Sequence, residues 1–324
     1  MQKTSSHKTK HFFALVIKLF IVIGFGYFIY LKLAENEQLT FSVFYTNLIK
    51  NNVFSLKNVL LLLLFTFFNW FFEIYKWHLL VSQIQKISFY EAAIQSLASL
   101  TASLITPNRI GEYGAKALYF KKSFGKKIVT LNLIGNLSQL FTTIFFGIIG
   151  CLYLFFNFNI EFDFTNIIFF VLFFILLFII IWFIDKKGLT VKGYSIQSFK
   201  NFIIGFQKKT LQKVVLFSVL RFLIFSHQFY FLLLTFTVNI NYVDALMSIF
   251  SIYLIASIIP MLSLFDVLVK GSVALFIFSL YEINEASILA IVLLMWILNF
   301  VLPSIVGSYF VLTFNSNKLF QQKE

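Results

Sequence analysis

Apolar runs alternate with short polar linkers along the whole chain, at 12–33, 58–81, 128–156, 164–184, 214–237 and 285–313. Each is long enough, at ~1.5 Å per residue, to cross a hydrocarbon core of ~30 Å, so the pattern predicts six full transmembrane helices. Two segments break the pattern, 89–120 and 243–281. Each has an apolar arm, a proline, a polar interruption and a shorter apolar arm: SLASLTASLITPNRIGEYGAKALYF in the first and SIYLIASIIPMLSLFDVLVKGSVALFIF in the second. Such segments are expected to enter the bilayer and turn back as re-entrant helical hairpins. Pro107, Gly111 and Gly114 would make the first turn, and Pro260 and Gly271 the second, because proline stops a helix and glycine frees the backbone.

The two odd segments read as copies. Pro107, Glu112 and Lys116 are matched by Pro260, Asp266 and Lys270, an acid followed four residues later by a lysine in both cases. The flanking spans correspond as well, 58–81 with 214–237 and 128–156 with 285–313, the internal repetition that marks many transporter folds. The predicted organisation is an all-α polytopic membrane protein. A single transmembrane domain covers 12–315, with repeat one at about 58–156 and repeat two at about 214–313. It lies between a basic tail at 1–11 and a short tail at 316–324.

Composition agrees. The chain has 324 residues, 60% hydrophobic and only 12% charged, against about 25% charged in soluble domains. The apolar stretch after the basic MQKTSSHKTKH start is too long for a signal peptide and lacks a small-residue cleavage site, so it reads as a retained helix. The formal charge of +13 is made almost entirely by 24 lysines in linkers, which argues for topology and against nucleic acid. With the N-terminus inside and both hairpins returning to the side they left, 17 lysines fall in cytoplasmic linkers and three (Lys32, Lys50, Lys57) outside. Both termini are then cytoplasmic. Three crossings separate the hairpins, so they would open to opposite faces as an inverted repeat. The stretches 41–49 and 194–209 read as interfacial, the second through Phe199, Phe202, Ile203 and Phe206 on one face.

Six charges fall at predicted membrane depth: Arg109, Glu112, Lys116, Arg221, Asp266 and Lys270. Unpartnered, they would cost roughly 18 kcal/mol in total, more than the ~5–15 kcal/mol net stability of a typical domain. They must be paired, or face water or a polar ligand. Helical spacing sets Glu112 against Lys116 and Asp266 against Lys270. Arg109 and Arg221, the only arginines, are left as cations suited to gripping a phosphate or carboxylate through their planar donors. The alternative is that each arginine bridges helices structurally. A helix starting near Arg109 to Gly111 would also favour an anion through its dipole.

Asn132, Asn136, Gln139 and Thr143 recur on one face of the span 128–156, and Arg221 and Gln228 on one face of 214–237; Asn299 sits in the last span. Interhelical hydrogen bonding accounts for any one of these amides. Glu73 and Lys76 read as a snorkelling pair near the end of their span. No histidine spacing suggests a metal, Cys151 is the sole cysteine, and no phosphate-binding Gly-x-x-x-x-Gly-Lys loop is present, so no cofactor is expected.

TPNRIGEYGAKALYF resembles the P-x-R-x-G-E signature of the lysylphosphatidylglycerol synthase transmembrane-region family, also called flippase-like-domain proteins, and IPMLSLFDVLVKGSVALF resembles its second motif. The resemblance covers about 10–315. It implies a bacterial inner-membrane protein with two re-entrant hairpins, related to the domain that moves aminoacylated phosphatidylglycerol between leaflets, and it carries over Pro107, Arg109, Gly111 and Glu112. The second motif departs from the family, with Leu264, Phe265, Asp266 and Lys270 where many members have a Gly-rich turn, acid and Arg. The longest inside linker, 185–213, is far too short for a soluble aminoacyl-transfer domain, so synthase activity is not implied. The expectation is a flippase-like protein that binds or translocates a phosphate-bearing lipid headgroup, using Arg109, Glu112, Lys116, Arg221, Asp266, Lys270, Asn136, Gln139 and Gln228. A non-transporting partner or regulator of envelope synthesis is one alternative. A lipid-linked glycosyl or acyl transferase, with Glu112 as base, is another. A homo-oligomer is compatible with the pattern and not required by it.

Overall fold

The computed structural model describes residues 48–104, 106, 109–158, 196–259 and 266–314, with isolated positions at 46, 179, 182, 183, 186 and 187. The expected span 12–33, most of 164–184, both tails, and Pro107 and Pro260 lie outside the described residues. What is described is helical: α1 (Leu56–Val81), α2 (Phe89–Ala102), α3 (Gly111–Ala117), α4 (Gly125–Phe158), α5 (Ile196–Ile204), α6 (Lys208–Thr235), α7 (Tyr242–Ile258), α8 (Asp266–Ser279), α9 (Glu285–Trp296) and α10 (Leu302–Thr313). A π-helical segment, Ile297–Val301, joins α9 to α10 without a break.

Helix starts follow local chemistry. Ser88 and Glu91 form a reciprocal capping box at α2, and Asn241 and Asn284 accept backbone N–H bonds at the starts of α7 and α9, each satisfying donors that a helix end leaves open.

Among the described residues, Leu56–Val81, Lys122–Phe158, Lys208–Thr235 and Glu285–Thr313 are long and apolar enough to cross a membrane. Their faces are arranged for lipid. On α1, Leu60, Leu64 and Phe67 are exposed while Thr66, Asn69, Glu73 and Lys76 are buried; on α4, Phe141, Phe145 and Ile148 are exposed while Asn132 and Thr142 are buried. Large apolar side chains outside and polar ones inside suit a hydrocarbon solvent, and this is a helical membrane protein. The shorter helices differ. At 14 residues, α2 is ~21 Å long, short of a full crossing. It packs against α3, as α7 packs against α8.

The two halves pack by the same scheme. Helix α1 lies along α6. Helix α2 sits against α10, and its counterpart α7 sits against α4; α3 meets α4 as α8 meets α9; α1 meets the π segment as α6 meets α4. Each half's last long helix therefore holds the other half's first short one. Glycine makes both seats. A Cβ at Gly150 would collide with the Met247 carbonyl and Ser251 on α7, and one at Gly307 with the Leu97 carbonyl and Thr101 on α2. Thr101 Oγ1 also donates to the Ser304 carbonyl of α10 at 2.9 Å. With no side chain between them the backbones approach closely, the usual basis of tight helix pairing in lipid. Helix α5 rests on the body through Phe199, Phe202 and Ile203, which join the apolar cluster containing Trp77 and Leu80.

Replacing Gly150 or Gly307 by Leu is expected to destabilise the protein by ~1–3 kcal/mol or more, because the added volume meets backbone that cannot give way. Gly114→Ala, at a helical position with open space around it, is expected to be neutral or stabilising by up to ~1 kcal/mol. Thermal unfolding of the three purified variants in one detergent checks the contrast.

Candidate functional site

The first motif folds around one hydroxyl. Thr106 Oγ1 donates to the Ser103 carbonyl at 2.7 Å and accepts the Gly111 N–H at 2.9 Å. This draws the start of α3 so close to the end of α2 that a Cβ at 111 would lie 2.9 Å from Thr106 Cγ2 and 3.2 Å from Ser103 Cα. Only glycine fits there. Arg109 completes the turn with a left-handed backbone, φ 58°, a conformation that non-glycine residues hold at a cost of roughly 1–3 kcal/mol and that concentrates at functional sites.

Glu112 then collects two cations. Its Oε2 lies 2.8 Å from Arg109 Nη2 and its Oε1 2.7 Å from Lys116 Nζ. Lys116 is 1% exposed, donates to Asn132 Oδ1 at 2.8 Å and stands 4.2 Å from the centre of the Trp77 ring. One ammonium thereby ties α3 to α4 and α1. Trp77 is itself held by Gln95 Oε1 on α2 at 2.8 Å.

A second carboxylate repeats the device. Glu73 Oε2 takes Lys76 Nζ at 2.8 Å and Arg221 Nη1 at 2.7 Å. Arg221 Nε donates to Asn69 Oδ1 at 3.0 Å, and Asn69 Nδ2 donates to Asn299 Oδ1 at 2.8 Å. Asn299 passes the chain to Gln228 Oε1, whose amide nitrogen donates to Thr66 Oγ1 and the Leu62 carbonyl. Asn299 lies in the π segment, and its carbonyl accepts from Trp70 Nε1 at 3.1 Å. A π turn opens the regular ladder at this point, as such turns often do at functional sites.

These groups border a cavity of ≈ 320 Å³, at the small end of the usual range for ligand sites. Arg109 and Arg221 both line it, with Asn69, Tyr253, Asp266, Lys270, Trp296 and Asn299, among Phe225, Phe229 and other apolar side chains. An adjoining cavity of ≈ 260 Å³ shares Arg221, Tyr253, Asp266 and Lys270 and adds Gln139 and Thr143. Asp266 and Lys270 pair at 2.6 Å but remain 40% and 29% exposed, so this pair opens on the cavity whereas Glu112–Lys116 is sealed in protein.

Several expectations need correction. Arg109 and Arg221 are not left over: Arg109 pairs with Glu112 three residues on, within its own turn, and Arg221 pairs with Glu73 because two helices distant in sequence meet there. Glu73 and Lys76 do not snorkel; they are buried in the helix interface. Gly114 and Gly271 lie within helices α3 and α8, not at turns. With seven residues and Glu112 in its first turn, α3 already carries its own anion. Asn136 donates to Tyr113 Oη at 3.0 Å, and Gln228 lies in the amide chain behind the cavity wall. The sequence reading missed Asn69, Tyr253 and Trp296. Asn69 had a signal: Thr66, Asn69, Glu73 and Lys76 recur at the spacing of one helix face. Tyr253 and Trp296 had none, since aromatic residues are everywhere in this chain.

A family model described as lysylphosphatidylglycerol synthase TM region matches residues 15–307. No curated protein and no solved structure matches the chain.

Lys116→Met is expected to destabilise the protein by ~1–3 kcal/mol: Glu112 keeps Arg109, but the buried Asn132 side-chain carbonyl loses its donor. Glu112→Gln combined with Lys116→Met is expected to cost less than the sum of the two single changes. Thermal unfolding of the two singles and the double measures the coupling.

Proposed function

The chain belongs to the lysylphosphatidylglycerol synthase TM-region family, and from that premise we propose that it binds a phosphate-bearing lipid headgroup and moves it between leaflets. The observation that carries this reading is the meeting of Arg109 and Arg221, from opposite halves of the sequence, on one cavity wall. Each commits part of its guanidinium to a glutamate and lines a space that hydrocarbon would not fill favourably. Apolar walls beside those donors suit a lipid, with its phosphate at the arginines and its chains leaving between helices.

The matched packing of the two halves supports an inverted repeat, with α2–α3 and α7–α8 as the re-entrant hairpins. The lengths of α2 and α3 favour this over a full crossing. The distribution of lysines supports an orientation with both termini cytoplasmic, and membership of this family supports a bacterial inner membrane. Within the proposed cycle, Asp266–Lys270 is the pair that opens and re-forms as the headgroup passes, being exposed to the cavity. Glu112–Lys116 is the fixed anchor; Asn136 braces α4 to α3 beside it, and Gln228 ties α6 to α1 and the π segment.

The test is headgroup transfer in proteoliposomes reconstituted with wild type or Arg109→Asn. Asparagine tolerates the left-handed backbone at 109 and leaves Glu112 with Lys116, so the fold is expected to survive. Transfer is expected to slow about tenfold or more, the effect of losing hydrogen bonds to a charged group. Equal rates for the two proteins would remove arginine gripping as the mechanism.

A further inference from the structure

The charges around the cavity do not cancel. Glu73 is shared by Lys76 and Arg221, and Glu112 by Arg109 and Lys116, so each group keeps one positive charge; Asp266 and Lys270 neutralise each other. Among the described residues the cluster holds five cations against three carboxylates, an excess of two. In a low-dielectric interior such an excess attracts an anion far more strongly than it would in water.

Hydrogen bonding points the same way. Among the described residues, Arg109 Nε, Tyr253 Oη and Trp296 Nε1 are buried and find no hydrogen-bond partner, and all three belong to side chains lining the ≈ 320 Å³ cavity. Tyr253 is 8% exposed and Trp296 5%. Buried donors normally have acceptors, so a guest rich in acceptor oxygens that engaged these three side chains would satisfy them. Trp296 Nε1 and Arg109 Nε can only donate, so zwitterionic or aminoacylated headgroups, which bring ammonium donors, answer them poorly.

We propose that the ligand of this site is a lipid ending in a doubly charged phosphate, a phosphate monoester, held by Arg109 and Arg221 with Tyr253 and Trp296 donating to its oxygens. This rests on the lipid-binding reading above and narrows it. A monoester brings close to two negative charges at neutral pH and three acceptor oxygens, matching both the excess and the orphan donors. A phosphodiester such as phosphatidylglycerol brings one charge. Lysylphosphatidylglycerol adds cationic charge to a site already positive.

The experiment measures binding of the full-length protein in detergent to phosphatidic acid, phosphatidylglycerol and lysylphosphatidylglycerol, with inorganic phosphate as competitor. The variants are Arg109→Asn, Tyr253→Phe and Trp296→Phe, each first checked for wild-type thermal unfolding. Phosphatidic acid is expected to bind about tenfold or more tighter than either other lipid, and each aromatic variant to lower that ratio several-fold by removing a donor while keeping a ring. If all three lipids bind alike yet Arg109→Asn weakens them all, the monoester proposal falls and the lipid-binding reading stands. If no lipid binds, or Arg109→Asn leaves every affinity unchanged, the lipid-binding reading falls and this proposal with it. Inorganic phosphate displacing phosphatidic acid at comparable concentration would assign the site to a soluble anion and overturn the lipid part.

Discussion

Two cations converge on one oxygen of Glu73, Lys76 from its own helix and Arg221 from α6, and the rest of the interior is built around that sharing. The α1–α6 contact is the axis along which the halves meet. A guanidinium buried there without a counter-charge would oppose the packing, since an uncompensated buried ion costs several kcal/mol. Glu73 removes that opposition and, with Asn69, fixes the plane of Arg221. Asn69 in turn is fixed by Asn299 in the π segment, so the edge of the cavity inherits its geometry from a hydrogen-bonded chain that crosses three long helices.

The first motif applies the same arrangement with Glu112, while the second motif does not. Asp266 has one lysine and no arginine, and its pair stays partly exposed. A sealed anchor and an open pair at corresponding places in the two halves imply different duties for them. The buried lysine at 116 holds three helices together and has little freedom to move. The lysine at 270 faces space and can exchange partners at low cost.

Much of this was legible in the sequence. Apolar length gave the long helices, and acid-to-lysine spacing gave both intrahelical ion pairs. The small residues of the first motif pointed to a tight turn, which Gly111 makes against Thr106. What sequence could not supply was the pairing between distant elements. Nothing local to Arg221 announces Glu73, 148 residues away, or tells which of many aromatic side chains line the cavity. Glu73 was misjudged because position along a span was weighed before its face; the polar face running from Thr66 to Lys76 carried the better information. Gly114 and Gly271 were misjudged because glycine near a proline resembles a turn, although helical neighbours on both sides absorbed it.

The glycine seats on α4 and α10 bear on how the protein is made. Helix α2 is clasped by α10, through contacts such as Thr101 to Ser304, 203 residues apart. While the ribosome is still producing the second half, the first short helices have left the exit tunnel but have no groove to settle into. Their packing can be completed only once the last long helix is made. Stop codons or breaks near the end of the gene would unseat the beginning of the protein as surely as the end.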